Sequence, residues 1–168
     1  MLETKLRPHA ARKGLIRRDR VLDLMSAGAD QPVLAVIAPP GYGKTTILAQ
    51  YQADQQRASA WLTLDVTDND PVILLGDLTA ALSAAGMLGG SGTMQPPGAT
   101  GDVLTVGVHL LAAALDQETP GILFLDQVDH VDSQNALDVV GAVMTQLAGT
   151  MQVVIASRSG HGLPLTSQ

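Results

Sequence analysis

The sequence predicts an α/β fold, a three-layer sandwich with a parallel sheet between two layers of helices. Three observations predict it. Short apolar runs of strand length alternate with longer segments of helical spacing, the pattern of parallel strands joined by right-handed crossovers. A glycine-rich turn, Ala38-Pro39-Pro40-Gly41-Tyr42-Gly43-Lys44-Thr45, separates the first apolar run from a helical segment. A later apolar run, Ile122-Leu123-Phe124-Leu125, ends in Asp126, which places a carboxylate at the carboxyl end of a strand, where such sheets receive ligands.

The elements follow in order. Residues 1–18 are basic and contain Pro8 and Gly14, which predicts an arm without regular structure. Residues 20–27 predict a short helix with Val21, Leu22, Leu24 and Met25 on its apolar side and Gly28 as its stop. Residues 1–28 thus form an arm and short helix, and 29–168 a phosphate-loop domain. Residues 33–38 are the first strand. Residues 44–57 are helix, with Ile47, Leu48 and Tyr51 on one face. Residues 58–64 are a second strand carrying Trp61, followed by an acidic turn over 65–70. Asp70 is placed to cap a helix over 71–85 that begins with Pro71, a favoured starting residue. Six glycines and two prolines make 86–101 a flexible surface loop. Residues 102–115 are helix, with Val103, Leu104, Val106, Leu110, Leu111 and Leu115 as the apolar set. Residues 121–126 are the third strand. Residues 133–147 are helix, with Leu137, Val140, Met144 and Leu147 inward, and 153–157 are the fourth strand.

Composition narrows the classes. A chain of 168 residues suits one domain with a sizeable core. Its four aromatics leave that core aliphatic and alanine-rich. The absence of cysteine excludes disulfides and thiolate metal sites. No apolar run approaches the roughly twenty residues of a spanning helix, and the basic start lacks the apolar core of a secretory signal. A cytoplasmic protein without membrane contact is expected. Seven of the ten lysines and arginines fall in the first twenty residues. The remainder holds Lys44, Arg57 and Arg158 against fourteen acids, so the body does not attract nucleic acid.

The glycine turn has the order of a P-loop: strand, glycine loop, helix. Gly41 and Gly43 permit backbone angles that let successive N–H groups face one anion, and the helix N-terminus favours negative charge there. The donors run from Gly41 through Tyr42, Gly43, Lys44 and Thr45 to Thr46. Lys44 would reach the β- and γ-phosphates, and the Thr45 hydroxyl would complete the shell of a Mg²⁺ ion. Ala38 stands where glycine is usual, and Pro40 removes one early donor. Asp126 would hold the Mg²⁺ shell opposite Thr45; a turn aspartate is the plainer alternative. Gln127 follows where efficient hydrolases often carry an acid. Its amide can orient water but cannot take a proton. Asp129 and His130 lie near enough to compensate for the missing acid, but with Asp132 they read more simply as loop residues ahead of the helix. Arg158, at the end of the fourth strand, reads equally as a ligand-facing cation or as a solvated arginine.

These segments together resemble the N-terminal nucleotide-binding domain of the MalT-like, ATP-dependent LuxR-family transcriptional regulators, which are STAND-class P-loop ATPases. The resemblance runs from Lys5-Leu6-Arg7-Pro8 to Ala156-Ser157-Arg158. It is carried by Ala38 to Thr46, by Trp61-Leu62-Thr63-Leu64-Asp65 with Asp68-Asn69-Asp70-Pro71, and by Leu123-Phe124-Leu125-Asp126. It implies ATP and Mg²⁺ as ligands, Asp126 as the Walker B acid, Arg158 as a sensor of the γ-phosphate, and Arg18 in a segment lining the adenine site. It implies a switch in which ATP favours a self-associated state and hydrolysis resets it. Gln127 replaces the family's second aspartate, so turnover is expected to be slow. It further implies a sheet order 2-3-4-1 with the fifth strand missing and the P-loop strand at an open edge, which invites self-association. DNA contact would belong to a helix-turn-helix segment outside residues 1–168, so the chain is expected to be part of a longer regulator. Two other readings stand beside the ATP switch: an interaction module that kept its P-loop without turnover, and a P-loop small-molecule kinase. The kinase reading lacks the arginine-bearing lid that such enzymes close over phosphates.

Overall fold

Four strands form one parallel sheet: β1 (Val33–Ile37), β2 (Ser59–Thr63), β3 (Ile122–Asp126) and β4 (Gln152–Ser157). They lie in the order β1-β4-β3-β2, the predicted 2-3-4-1 read from the other edge. The structure, a computed structural model, describes residues 2–8, 16–89, 103–115, 121–160 and 163. Part of the expected arm (9–15) and the expected loop from residue 90 onward lie outside the described residues.

Strand alternation builds the two cores. Trp61, Ile122, Phe124, Val154 and Ala156 face α2 (Asp19–Ala27) and α3 (Lys44–Ala53), packing with Leu22, Met25, Ile47, Leu48 and Tyr51. The neighbours between them, Ala60, Leu62, Leu123, Leu125, Val153 and Ile155, face α4 (Pro71–Ala84), α5 (Val103–Ala114) and α6 (Gln134–Gln146). Three of the four aromatics meet on the first face. Trp61 stacks on Phe124 at 5.5 Å, and Tyr51 meets the same ring edge-on at 6.3 Å. β3 and β4 are buried along their whole length, as central parallel strands must be. β1 is an edge strand among the described residues and leaves Ile37 45% exposed.

Capping sets several boundaries. Asp70 Oδ1 accepts from Val72 N–H with Pro71 in the first turn of α4, and Ser133 Oγ accepts from Ala136 N–H to start α6. Both are N-cap bonds that Asp and Ser favour.

Three expectations need correction. The arm is not without structure: Leu2–Lys5 form one helical turn, α1, against β2. It orders because Lys5 reaches a carboxylate cluster on the body. Helix α3 ends at Ala53, four residues early, where Asp54 N–H turns back to the Gln50 and Tyr51 carbonyls. Leu24, Val106 and Leu110, members of the expected apolar sets, do not join the core: they are 66%, 47% and 45% exposed. Val108 takes the inward place on α5 beside Leu111 and Leu115.

The register aligns the carboxyl ends of the strands. Thr63 lies opposite Asp126, and Ile37 opposite Ser157. The loops after β1, β2, β3 and β4 therefore meet along one edge of the sheet.

Candidate nucleotide-binding site

The loop after β1 makes its turn with two glycines in the left-handed region, Gly41 at φ 83° and Gly43 at φ 76°. An added Cβ at Gly41 would meet nothing within 4 Å, so its need is conformational, not steric. Gly43 is the residue before α3, with no side chain capping the helix. Among the described residues no oxygen accepts from the N–H groups of Gly41, Gly43, Lys44, Thr45 or Thr46. Five donors at the start of a helix, around a tight bend, fit an anion.

Two oxygens face each other at the base of this loop. Thr45 Oγ1 donates to Asp126 Oδ2 at 2.7 Å. Asp126 is fully buried, and its Oδ1 accepts from Gln127 N–H at 3.0 Å. A hydroxyl beside a carboxylate is the hard-oxygen pair through which Mg²⁺ binds while keeping several waters. The residues present therefore fit both a phosphate and the ion that accompanies it.

The remaining predicted residues are distributed around this pair. Lys44 Nζ folds back along the loop and donates to the carbonyls of Ala38 (2.6 Å) and Pro39 (3.2 Å). Thr46 is partly buried beside Gly43, and the Tyr42 side chain is 61% exposed. Arg18 Nη1 donates to the Tyr42 carbonyl at 2.9 Å, which lays the guanidinium against the glycine loop. Its neighbours secure that position: Gln50 Nε2 donates to Ile16 O, and Arg17 pairs with Asp54 at 2.6 Å. Gln127 has φ 59° and ψ 38° and opens a short 3₁₀ turn, Val128–His130.

Arg158 is not a lone solvated cation. Its Nε lies 2.8 Å from Asp129 Oδ2, and its backbone N–H donates to Asp129 Oδ1 at 2.9 Å. Asp129, read from the sequence as a plain loop residue, thus ties the loop after β3 to the loop after β4.

Two further residues escaped the sequence reading. Asn69 ties the loop after β2 to the loop after β3 through its side-chain amide. Lys5 Nζ lies 2.8 Å from Asp68, 2.7 Å from Asp77 and 3.4 Å from Asp65. Burial lowers the Lys5 pKa, but hydrogen bonds to Asp68 and Asp77 outweigh it, so the ammonium titrates above its ordinary value. Burial pushes the Asp68 carboxyl up, against the pull of Lys5 and the Asp65 N–H. The signals were present as Lys5-Leu6-Arg7-Pro8 and Asp68-Asn69-Asp70-Pro71, but their partners lie far along the chain.

No protein-family model matches the chain. It is 26% identical over 169 residues, 96% of this chain, to the serine/threonine-protein kinase PknK of Mycobacterium tuberculosis. It is 35% identical over 85 residues, 51% of this chain, to the HTH-type transcriptional regulator MalT of Yersinia enterocolitica. The chain spans 15% of the length of the first and 9% of the second. The solved structure of Cdc6p from Pyrobaculum aerophilum superposes with a TM-score of 0.57 over 93% of this chain and 42% of that one, at 17% identity, a likeness of fold. With a glycine loop between β1 and α3 and a parallel sheet in this order, the fold is that of a P-loop NTPase.

Proposed function

We propose that this chain is an ATP-binding, weakly hydrolysing switch domain of a LuxR-type transcriptional regulator, acting in the cytoplasm. The observation that carries the reading is the Thr45–Asp126 pair at 2.7 Å beneath five amide donors of the glycine loop. In this reading Gly41 to Thr46 hold the phosphates through backbone N–H groups, and Lys44 leaves its two carbonyls to neutralise the β- and γ-oxygens. Thr45 and Asp126 would hold Mg²⁺, which would supply charge neutralisation for the phosphates. Arg18, held against the glycine loop, lines the base side of the ligand, and Arg158 answers to the γ-phosphate. Gln127 orients water without accepting its proton, so turnover is slow. Similarity to MalT over half the chain supports the regulator assignment. Sensing and DNA contact then belong to other segments of a longer protein. The kinase activity in the name of PknK is not carried over, since the chain spans 15% of that protein.

An interaction module without turnover is the second reading. The absence of an acid at Gln127 and the edge position of β1 among the described residues, with Ile37 exposed, favour it, and the same edge supports self-association. A P-loop small-molecule kinase fits less well. Arg57 donates to Gln152 at the start of β4, at the end of the sheet away from the glycine loop.

Calorimetric titration of Mg-ATP into the chain tests the reading. Saturable binding that weakens at least about tenfold in Lys44→Ala is expected, a loss of about 1.4 kcal/mol or more. Equal heats from both proteins would leave only the interaction module.

A further inference from the structure

We propose that Asn69 is a positioning residue: it splices the loop after β2 to the loop after β3 and so fixes Asp129 and, through it, the Arg158 guanidinium. Its geometry stands on its own; its consequence for ligand binding rests on the nucleotide reading above.

Asparagine offers two N–H donors and an oxygen with two lone pairs. All four are engaged here. Asn69 Nδ2 donates to Val66 O at 3.2 Å, within its own loop, and to His130 O at 3.0 Å. Its Oδ1 accepts from Asp132 N–H and from Ser133 N–H, both at 2.8 Å. The Asn69 carbonyl also accepts from Ser133 Oγ at 2.7 Å. One side chain therefore holds three backbone groups within residues 130–133, directly after the residue that grips Arg158.

The splice has a firm base. Residues Val66–Asn69 form a 3₁₀ turn closed by a capping box: Asp65 Oδ1 accepts from Thr67 N–H, and Asp68 Oδ2 accepts from Asp65 N–H. Lys5 fastens Asp68 from the arm. At the other end Asp129 spends both carboxylate oxygens on Arg158. A Gln or Asp at position 69 could not reproduce this pattern. Glutamine adds a methylene, and aspartate keeps the acceptors but sets a carboxylate against the His130 and Val66 carbonyls.

Three variants test the splice: Asn69→Ala, Asn69→Asp as the version more certain to fold, and Ser133→Ala as a control. Ser133→Ala removes a cap and one bond to the Asn69 backbone while sparing the side-chain amide. The first readout is the nitrogen-15 NMR signal of the Arg158 Nε–H, assigned by its loss in Arg158→Lys and recorded without nucleotide. Both Asn69 variants are expected to shift the signal and speed its exchange with water, and Ser133→Ala to leave it in place at comparable loss of thermal stability. The second readout is the ratio of Mg-ATP to Mg-ADP affinity, expected to fall about fivefold in the Asn69 variants with ADP affinity kept. An unmoved Arg158 signal in both Asn69 variants would overturn the proposal, as would an equal shift in Ser133→Ala. A shifted signal in a protein that binds neither nucleotide would uphold the splice and sink the nucleotide reading instead.

Discussion

The backbone N–H of Gln127 donates to Oδ1 of Asp126 at 3.0 Å, and Gln127 makes that bond from the left-handed region, at φ 59°. It is the only non-glycine residue with positive φ among those described. The strained residue thus turns its amide back onto the carboxylate that Thr45 holds from the other side. Such outliers cost of order 1–3 kcal/mol and gather at functional sites.

A graded series at this position follows. Gln127→Asn is expected to raise stability by about 0.5 kcal/mol, because asparagine tolerates the left-handed region. Gln127→Val should lower it by about 1–2 kcal/mol, because β-branching makes positive φ worse. Urea unfolding reads both. Gln127→Asp combines tolerance of this backbone with an acid that can take a proton from water. It should keep the fold and raise ATP turnover by about a hundredfold, the low end of general-base effects. An unchanged rate would show that another residue or another segment limits hydrolysis.

The glycine loop and the acid at Asp126 were legible because each is written locally; the strand order rests on the family resemblance, and the Thr45–Asp126 pairing, across 81 positions, on the P-loop pattern. A strand ends, a glycine turn follows, an acid closes an apolar run. The face of α5 was not legible. Between Val103 and Ala114 only Thr105 and His109 are polar, so an all-round apolar helix offers no stripe to say which side packs. Val106 and Leu110 thus belong to the expected apolar set and yet lie exposed. The roles of Lys5 and Asn69 were hidden for another reason. Lys5 meets Asp68 and Asp77 across 63 and 72 positions, and Asn69 meets Ser133 across 64. No periodicity links residues so far apart: the parallel sheet, by aligning its carboxyl ends, brings the loops of Asn69 and Ser133 together, and the packing of α1 against β2 brings Lys5 to its carboxylates.

Removing the Thr45 hydroxyl separates magnesium from phosphate. Thr45→Val keeps the shape and deletes the donor to Asp126. The amide donors of the loop remain, so ATP in the presence of EDTA should bind with little change. Mg-ATP should lose about tenfold, since one of two protein oxygens for the ion is gone. Calorimetry with and without the metal reads the difference. Equal losses in both conditions would mean that the hydroxyl shapes the loop and holds no metal.

The arm should be fastened by charge, and pH should unfasten it. The Lys5 side chain is 13% exposed and Asp68 fully buried, so Lys5→Met strands a buried carboxylate. A loss of about 3 kcal/mol at neutral pH is expected, as for breaking a buried pair from one side. In the native chain the Lys5 pKa is raised above 10.5 by Asp68 and Asp77, despite the opposing effect of burial. Its contribution is therefore complete below about 10.5 and fades as pH climbs through the higher folded value. Asp68 has the same sign in the acid range: its folded pKa is also raised, so it too favours the protonated form. Burial raises its pKa, so a neutral carboxyl suits the site, and losing Lys5 raises that pKa further. Acid should then restore stability to Lys5→Met by protonating Asp68, narrowing the gap to the native chain. Thermal melts from pH 4 to 11 read both limbs. A native curve flat through the alkaline limb, or a gap that widens in acid, would show that Leu6 packing and not the Lys5 charge holds the arm to the sheet.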